Sequence, residues 1–318
     1  MTSPVPHDLS EARARLRFRG LSAATLFLCL AGASHPGWGA AFHDDEPFIS
    51  TDGAGNWMTV WTTRPADGSG DSDIAFSSSR DNGATWSPAR LLAGPHPGAD
   101  GASNDTEPVV KVYPNGVAIV YWWAAAPQEL PARRLLLSRT TDYGTNWSAP
   151  VVIFRGTGPF TRIRSDATLN GIPGDHMIVA DGNVLYRLRT EDQGATWVNT
   201  GPISHTLACD KGNPVTVLGF RKLSFAVVNG TFAVLASATV RGASGQTVQD
   251  YAVLCRSMDA GVTWTQWRSF FNSTALSTGV PYIDVSGDLA FLFTWGPDSG
   301  DVFQKSSAGH DLPFDSEW

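Results

Sequence analysis

Glutamate precedes proline at two equivalent places in this chain, Glu46-Pro47 in "DDEPFISTDG" and Glu107-Pro108 in "DTEPVVKVYPNG". Two carboxylates that a fold brings together can serve as general acid and general base. Repetition of one structural unit accounts for the pair equally well. Between them runs "WTTRPADGSGDSD", in which Asp67, Ser69, Asp71 and Asp73 alternate with other residues. Oxygen ligands from Asp67, Asp71 and Asp73 could wrap a calcium ion, with Gly68 and Gly70 letting the chain curl; a solvated acidic loop is the plainer reading. Trp122 and Trp123 could stack on a sugar, but one of two adjacent strand residues normally points inward, and packing explains the pair more simply.

A third acidic pattern is written four times. "SSSRDNGATWS" surrounds Asp81, and its relatives are "SRTTDYGTNWS" at Asp142, "LRTEDQGATWV" at Asp192 and "CRSMDAGVTWT" at Asp259. Upstream of each comes a β-rich run closed by a tight turn: "EPFISTDG", "EPVVKVYPNG", the shorter "DATLNG", and "SFAVVNG". Asp-Gly and Asn-Gly tolerate the positive φ of hairpin turns. A second run ("NWMTVWTT", "VAIVYWW", "HMIVA", "TFAVLASAT"), a third leading into the acidic turn and a fourth strand after it complete each unit. A fifth copy opens at "PYIDVSGDLAFLFTW" and continues through "DVFQKSS", its turn decayed to "AGHDLPF". No segment after residue 40 has helical periodicity. Repeated four-stranded units without helices predict an all-β propeller with five detectable blades, or six with one missing or decayed.

Strand parity then divides the loops between two faces. The hairpin turns and acidic turns share one face. The longer polar loops, residues 63–73, 93–106, 124–133, 154–166, 201–222, 239–250 and 296–301, share the other, where a rigid scaffold is expected to present a ligand site.

The 318 residues are 42% apolar, 11% aromatic and 17% charged, enough for a sizeable core in one domain. Four arginines precede the apolar run "LSAATLFLCLAGA", so residues 1–40 read as a signal peptide and 41–318 as the propeller domain. The apolar run is short for a membrane span. The mature chain holds 19 basic residues against 28 acidic ones, about −9, which argues against a nucleic-acid partner. It is expected to be secreted, extracellular or periplasmic. Cys209 and Cys255 remain there as either a disulfide or two thiols. Asn104, Asn146, Asn229 and Asn272 are glycan acceptors only in a eukaryotic secretory route.

The motif S-x-D-x-G-x-T-W in phase with hairpins resembles the sialidase-like superfamily of BNR-repeat, or Asp-box, propellers. Ser79-Asp81-Gly83-Thr85-Trp86 and Ser257-Asp259-Gly261-Thr263-Trp264 match in full; the other two turns each depart slightly. The resemblance implies that Asp81, Asp142, Asp192 and Asp259 are structural. It implies a glycan or glycoconjugate as partner and sialidase-type chemistry: an arginine cluster for the sugar carboxylate, a loop aspartate as acid/base, and a tyrosine nucleophile. Arg64 would bind substrate, Asp67 or Asp71 would be the acid, Arg162 and Arg164 the further arginines, and Tyr282 the nucleophile, with Glu46 and Glu107 as the other carboxylate candidates. The family's first-strand R-I-P motif falls on Asp45-Glu46-Pro47, an acid where an arginine is required. An exo-α-sialidase or related glycoside hydrolase is therefore expected beside a non-catalytic propeller that binds carbohydrate or protein. No H-E-x-x-H, G-x-S-x-G or phosphate-binding glycine loop occurs, and no other cofactor is implied.

Overall fold

The computed structural model describes residues 42–65, 70–92, 103–125, 133–157, 161–166, 175–203, 216–228, 231–242, 245, 247–257, 259, 261–264, 268–269, 281–286, 288–294 and 302–306. Among them the regular elements are all strands, arranged in five antiparallel sheets in chain order. Sheet 1 holds β1 (Phe42–Thr51), β2 (Trp57–Pro65), β3 (Asp73–Ser79) and β4 (Arg90–Leu91). Sheet 2 holds β5 (Asn104–Val112), β6 (Ala118–Ala125), β7 (Arg133–Thr140) and β8 (Val151–Gly156). Sheet 3 holds β9 (Thr161–Asp166), β10 (Asp175–Asp181), β11 (Val184–Thr190) and β12 (Val198–Pro202). Sheet 4 holds β13 (Thr216–Val228), β14 (Thr231–Arg241), β15 (Thr247–Ser257) and β16 (Arg268–Ser269). The fifth has three strands among the described residues, β17 (Pro281–Ser286), β18 (Asp288–Thr294) and β19 (Val302–Ser306).

The second strands are the most apolar because they are covered on both sides. In β6 every residue from Ala118 to Ala124 is buried. Ala118, Val120, Trp122 and Ala124 join Met58, Val60, Ile74 and Phe76 in the seam between sheets 1 and 2. Ile119, Tyr121 and Trp123 turn the other way, to Met177, Val179 and Leu188 of sheet 3. A third seam sets Ile178, Ala180 and Leu185 against Phe220, Phe232, Val234 and Ala236 of sheet 4. The last strands are short and carry the exposed positions Val151, Val152 and Val198. First strands neighbour one another where sheets meet: β1 packs on β5, β9 on β13, and β13 on β17.

Several expected boundaries move; β9 fills 161–166 of the expected loop 154–166, and β14 to Arg241 and β15 from Thr247 shorten the expected loop 239–250. The first strand of the third unit is Thr161–Asp166, so only Asp166 of "DATLNG" belongs to it, and residues 167–171 lie outside the described ones. β13 begins at Thr216, inside the expected loop 201–222. Two bulges, between Val217 and Gly219 and between Phe220 and Lys222, let it stay paired with β14 over that length. Phe220 is fully buried, and its N–H donates to Gly182 O of sheet 3 at 3.0 Å.

Candidate functional site

The two faces inferred from strand parity can be told apart by hydrogen bonds. Asn82 N donates to Gly55 O at 2.9 Å and Tyr143 N to Gly116 O at 2.8 Å, so the acidic turns of sheets 1 and 2 lie directly on their own first hairpins. The opposite ends of the same strands form the loop face.

At that face β1 and β5 each bulge at the Glu-Pro pair, between Asp45 and Phe48 and between Thr106 and Val109. Glu46 and Glu107 have φ of 53° and 55°, the left-handed region that costs a side-chain-bearing residue about 1 kcal/mol or more. The following proline further disfavours helical backbone at both positions. The two sites meet: Glu46 Oε2 accepts the Glu107 N–H at 2.6 Å and the Thr62 hydroxyl at 3.2 Å. Asp45, at the R-I-P arginine position, accepts the Glu46 N–H on Oδ1 at 2.8 Å. Asp44, Asp45 and Glu46 are exposed and Glu107 is half-buried.

Beside this pair the ends of sheets 1 and 2 are stitched together. Asp105 N donates to Ser72 O at 2.9 Å, Ser72 N to Asn104 Oδ1 at 3.4 Å, and Ser103 Oγ to Asp105 Oδ1 at 3.3 Å. Asp71 is half-buried, with Oδ2 shielded from solvent and without a hydrogen-bond partner. Arg64 is exposed near the end of β2, opposite His43.

The remaining candidates fall on other sheets. Arg162 and Arg164 lie on β9, paired with Ala180 and Ile178, and Tyr282 lies on β17, paired with Leu292. Their side chains, all of Asp67, and the Cys209 and Cys255 side chains lie outside the described residues, as does the expected signal segment. The structure thus joins Glu46 to Glu107 and keeps Asp71 and Arg64 on the same two sheets. Arg162 and Arg164 belong to the third sheet and Tyr282 to the fifth. The calcium reading needs Asp67, which lies outside the described residues; among the described residues no group of three or more His, Cys, Asp or Glu is placed to hold a metal.

The acidic turns at the other face use their carboxylates locally. Asp81 accepts the Thr85 hydroxyl at 2.5 Å, the Thr85 N–H at 2.8 Å and the Ser79 hydroxyl at 2.8 Å. Asp192 and Asp259 repeat this with Thr196 and Thr190, and with Thr263 and Ser257. In the second turn Asn146 replaces the threonine, and its Nδ2 donates to Asp142 at 2.7 Å. At Asp81 and Asp259 the threonine hydroxyl, and at Asp142 the Asn146 N–H, is the chief cause of a pKa lowered to about 2. At Asp192 partial burial pulls upward, but the Thr196 and Thr190 donors outweigh it, and the pKa again falls to about 2.

The sequence reading missed two arrangements on this face. One is a set of arginines that reach from each sheet onto the next acidic turn. Arg90 donates to Gly144 O, Arg80 to Asp142 O at 3.2 Å, and Arg139 to Gln193 O at 3.1 Å. Arg187 lies so close to Gly261 that a Cβ there would sit 1.9 Å from its guanidinium. The signal was present, since Arg80, Arg139, Arg187 and Arg189 all shortly precede an acidic turn. The other is buried Tyr113, whose hydroxyl donates to Asp175, which also receives the Lys111 ammonium. Burial and that carboxylate push the phenol pKa up, so Tyr113 is no phenolate nucleophile despite its carboxylate partner.

Comparison with solved structures places this architecture. A Dyadobacter fermentans protein of unknown function superposes with a TM-score of 0.55 at 18% identity, over 86% of this chain and 81% of the other. The NanB sialidase of Streptococcus pneumoniae gives 0.52 at 11% identity, over 86% of this chain and 62% of its own. A Trypanosoma rangeli sialidase in complex with sialic acid gives 0.51 at 15%, over 80% of this chain and 44% of its own. This chain therefore spans less than two thirds of either sialidase. No family model matches the sequence, and no curated protein matches it either. The fold is sialidase-like, an all-β arrangement of the propeller type.

Proposed function

We propose that the chain is an exported, glycan-acting protein that receives a sugar at the loop-face ends of β1 and β5. The observation that carries this reading is the Glu46–Glu107 junction. Two inner strands keep a glutamate in left-handed backbone ahead of proline, and one carboxylate rests on the other's amide. Backbone strain of this kind concentrates where geometry serves a ligand. The acidic turns are structural in this reading, since their carboxylates are filled by their own turns.

The substrate class follows from charge. A sialic acid carboxylate needs convergent guanidinium donors, yet Asp44, Asp45 and Glu46 crowd the position where the first arginine is required. Hydroxyl-rich neutral sugars suit acceptor carboxylates, so a related glycoside hydrolase fits this site better than an exo-α-sialidase. In that chemistry one carboxyl protonates the leaving oxygen and the other activates water or attacks. Non-catalytic binding of carbohydrate is the second reading, favoured because Glu46 Oε2 is already committed to Thr62 and Glu107.

A panel of fluorogenic neutral glycosides and sialosides, run beside a glycan array, tests all three. Turnover of a neutral glycoside that falls at least a hundredfold in Glu46→Gln or Glu107→Gln supports the hydrolase. Array binding without turnover, lost in the same variants, supports the binder. Sialoside turnover unchanged in both variants, or no glycan recognised at all, overturns the assignment of the site.

A further inference from the structure

His176 is the second residue of β10, where sheet 3 meets sheet 4. It is 2% exposed, and neither ring nitrogen has a hydrogen-bond partner. Its ring meets Phe232 of β14 edge-on, with centroids 4.8 Å apart. Over the same phenyl ring lies the Arg187 guanidinium, 5.6 Å from the centroid, and Trp264 closes the cluster at 6.2 Å. This is a joint between two sheets built around a titratable ring.

The charged groups around it are unfavourable to a second cation. Arg187 and Arg189 both belong to β11, and Arg189 is the cross-strand partner of His176. The adjacent carboxylate, Asp175, already receives the Tyr113 hydroxyl and the Lys111 ammonium from sheet 2. Asp259, on the side of sheet 4, is drawn to Arg187. On β9 the partner is Asp166, whose side chain lies outside the described residues.

We infer that His176 makes the seam between sheets 3 and 4 an acid-labile joint: the neutral imidazole keeps it closed, and protonation of that ring parts the two sheets. An imidazolium here would be desolvated against Phe232 with two guanidiniums nearby, and together these outweigh the attraction of Asp175, which already holds Tyr113 and Lys111. Burial first, then Arg187 and Arg189, lower the imidazole pKa from 6.5 to about 4. The sign is that of a depressed base. As pH falls below about 6.5 the unfolded chain takes up a proton that the folded chain refuses, so stability drops until about pH 4 and levels off below it. Loss from the acidic turns begins lower, below about 3.8, and the two can be separated.

The test uses the full chain. Urea unfolding of wild type and His176→Leu is measured at pH 7.5 and 4.5. The wild-type unfolding constant divided by that of the variant is expected to rise roughly 70-fold between the two. Hydrogen exchange at pH 4.5 is expected to open peptides of β10 and β14 while those of β5 and β6 stay protected. A flat ratio, or protection lost evenly over all sheets, overturns the joint. Ring NMR of the wild-type histidines decides independently of whether His176→Leu folds. Titration of His176 near 4 upholds the inference, and titration near or above 6.5 overturns it. In the second case Asp166 is the first carboxylate to suspect, and Asp166→Asn would then lower the value.

Discussion

The two ends of the same strands treat carboxylates in opposite ways. Asp81, Asp142, Asp192 and Asp259 are each filled by donors within five residues of chain, and the same short motif produces the same cage four times. Glu46 at the loop face takes its donors from Thr62 and Glu107, 16 and 61 residues away. A locally caged carboxylate needs only its own turn to fold. One caged across sheets needs the seam between β1 and β5 in place, and its geometry can answer to a ligand. Positive φ divides similarly. Asn82, Tyr143 and Gln193 adopt it beside a turn glycine, whereas Glu46 and Glu107 adopt it ahead of a proline.

The largest expected effects lie in the acidic turns, where sheets meet. Gly194 has φ of 81°, and a Cβ there would lie 2.5 Å from Ile119 Cγ2 in the core of the next seam. Gly194→Ala should cost about 2–4 kcal/mol, combining strain with a forced shift of a buried side chain. Gly83 has φ of 85° but open space around it, so Gly83→Ala should cost only about 1 kcal/mol. Urea midpoints that fail to separate these variants would mean that the seam between sheets 2 and 3 yields more easily than its packing indicates. Arg139→Met comes next. It keeps an apolar stem but leaves Gln193 O without its guanidinium, for about 1–2 kcal/mol. Neither class of variant should change glycan recognition, because both lie away from the loop face.

A smaller effect of opposite sign is expected at the loop face. Glu107→Gly relieves a left-handed backbone and keeps the N–H that Glu46 accepts, so it should stabilise by about 0.5–1 kcal/mol. If the strain serves a ligand, the same variant should lose binding or turnover at least tenfold. Stabilisation with full function would instead make the Glu-Pro bulge a pure repeat feature.

Much of the fold was legible because strand runs, Gly turns and acidic motifs are local signals. The four complete units follow from local pattern alone, whereas the burial of "VAIVYWW" on both sides comes from its place between two seams. The first strand of the third unit was misplaced because β9 lies upstream of the hairpin-like "DATLNG" that suggested it. At the candidate site the equivalence of Glu46 and Glu107 could be read from spacing, but their contact could not, since it depends on two bulges coming into register between sheets. The arginine bridges were hidden for the same reason. An arginine before an acidic turn looks like a partner for its own aspartate, yet Arg80 and Arg139 bond turns in the next sheet.

The least energetic prediction bears most directly on the local cage. Asp192 is held near pKa 2 by the Thr196 hydroxyl at 2.6 Å, the Thr196 N–H at 2.8 Å and the Thr190 hydroxyl at 2.7 Å. Thr196→Val deletes the first donor and keeps the others, so the carboxyl should move up toward the ordinary 3.8 in a carbon-detected titration. The stabilisation from a depressed carboxyl is full above about pH 3.8 and lost as pH falls through the folded value. The variant's acid loss should therefore be smaller and be complete at a higher pH. Thr196→Asn is the control that the chain itself supplies: Asn146 fills this place in the second turn, and Asp142 still sits near 2. Asn at 196 should leave Asp192 where it is. If neither Val nor Asn shifts it, the Thr196 hydroxyl is not the controlling donor, and the Thr196 N–H and the Thr190 hydroxyl carry the cage.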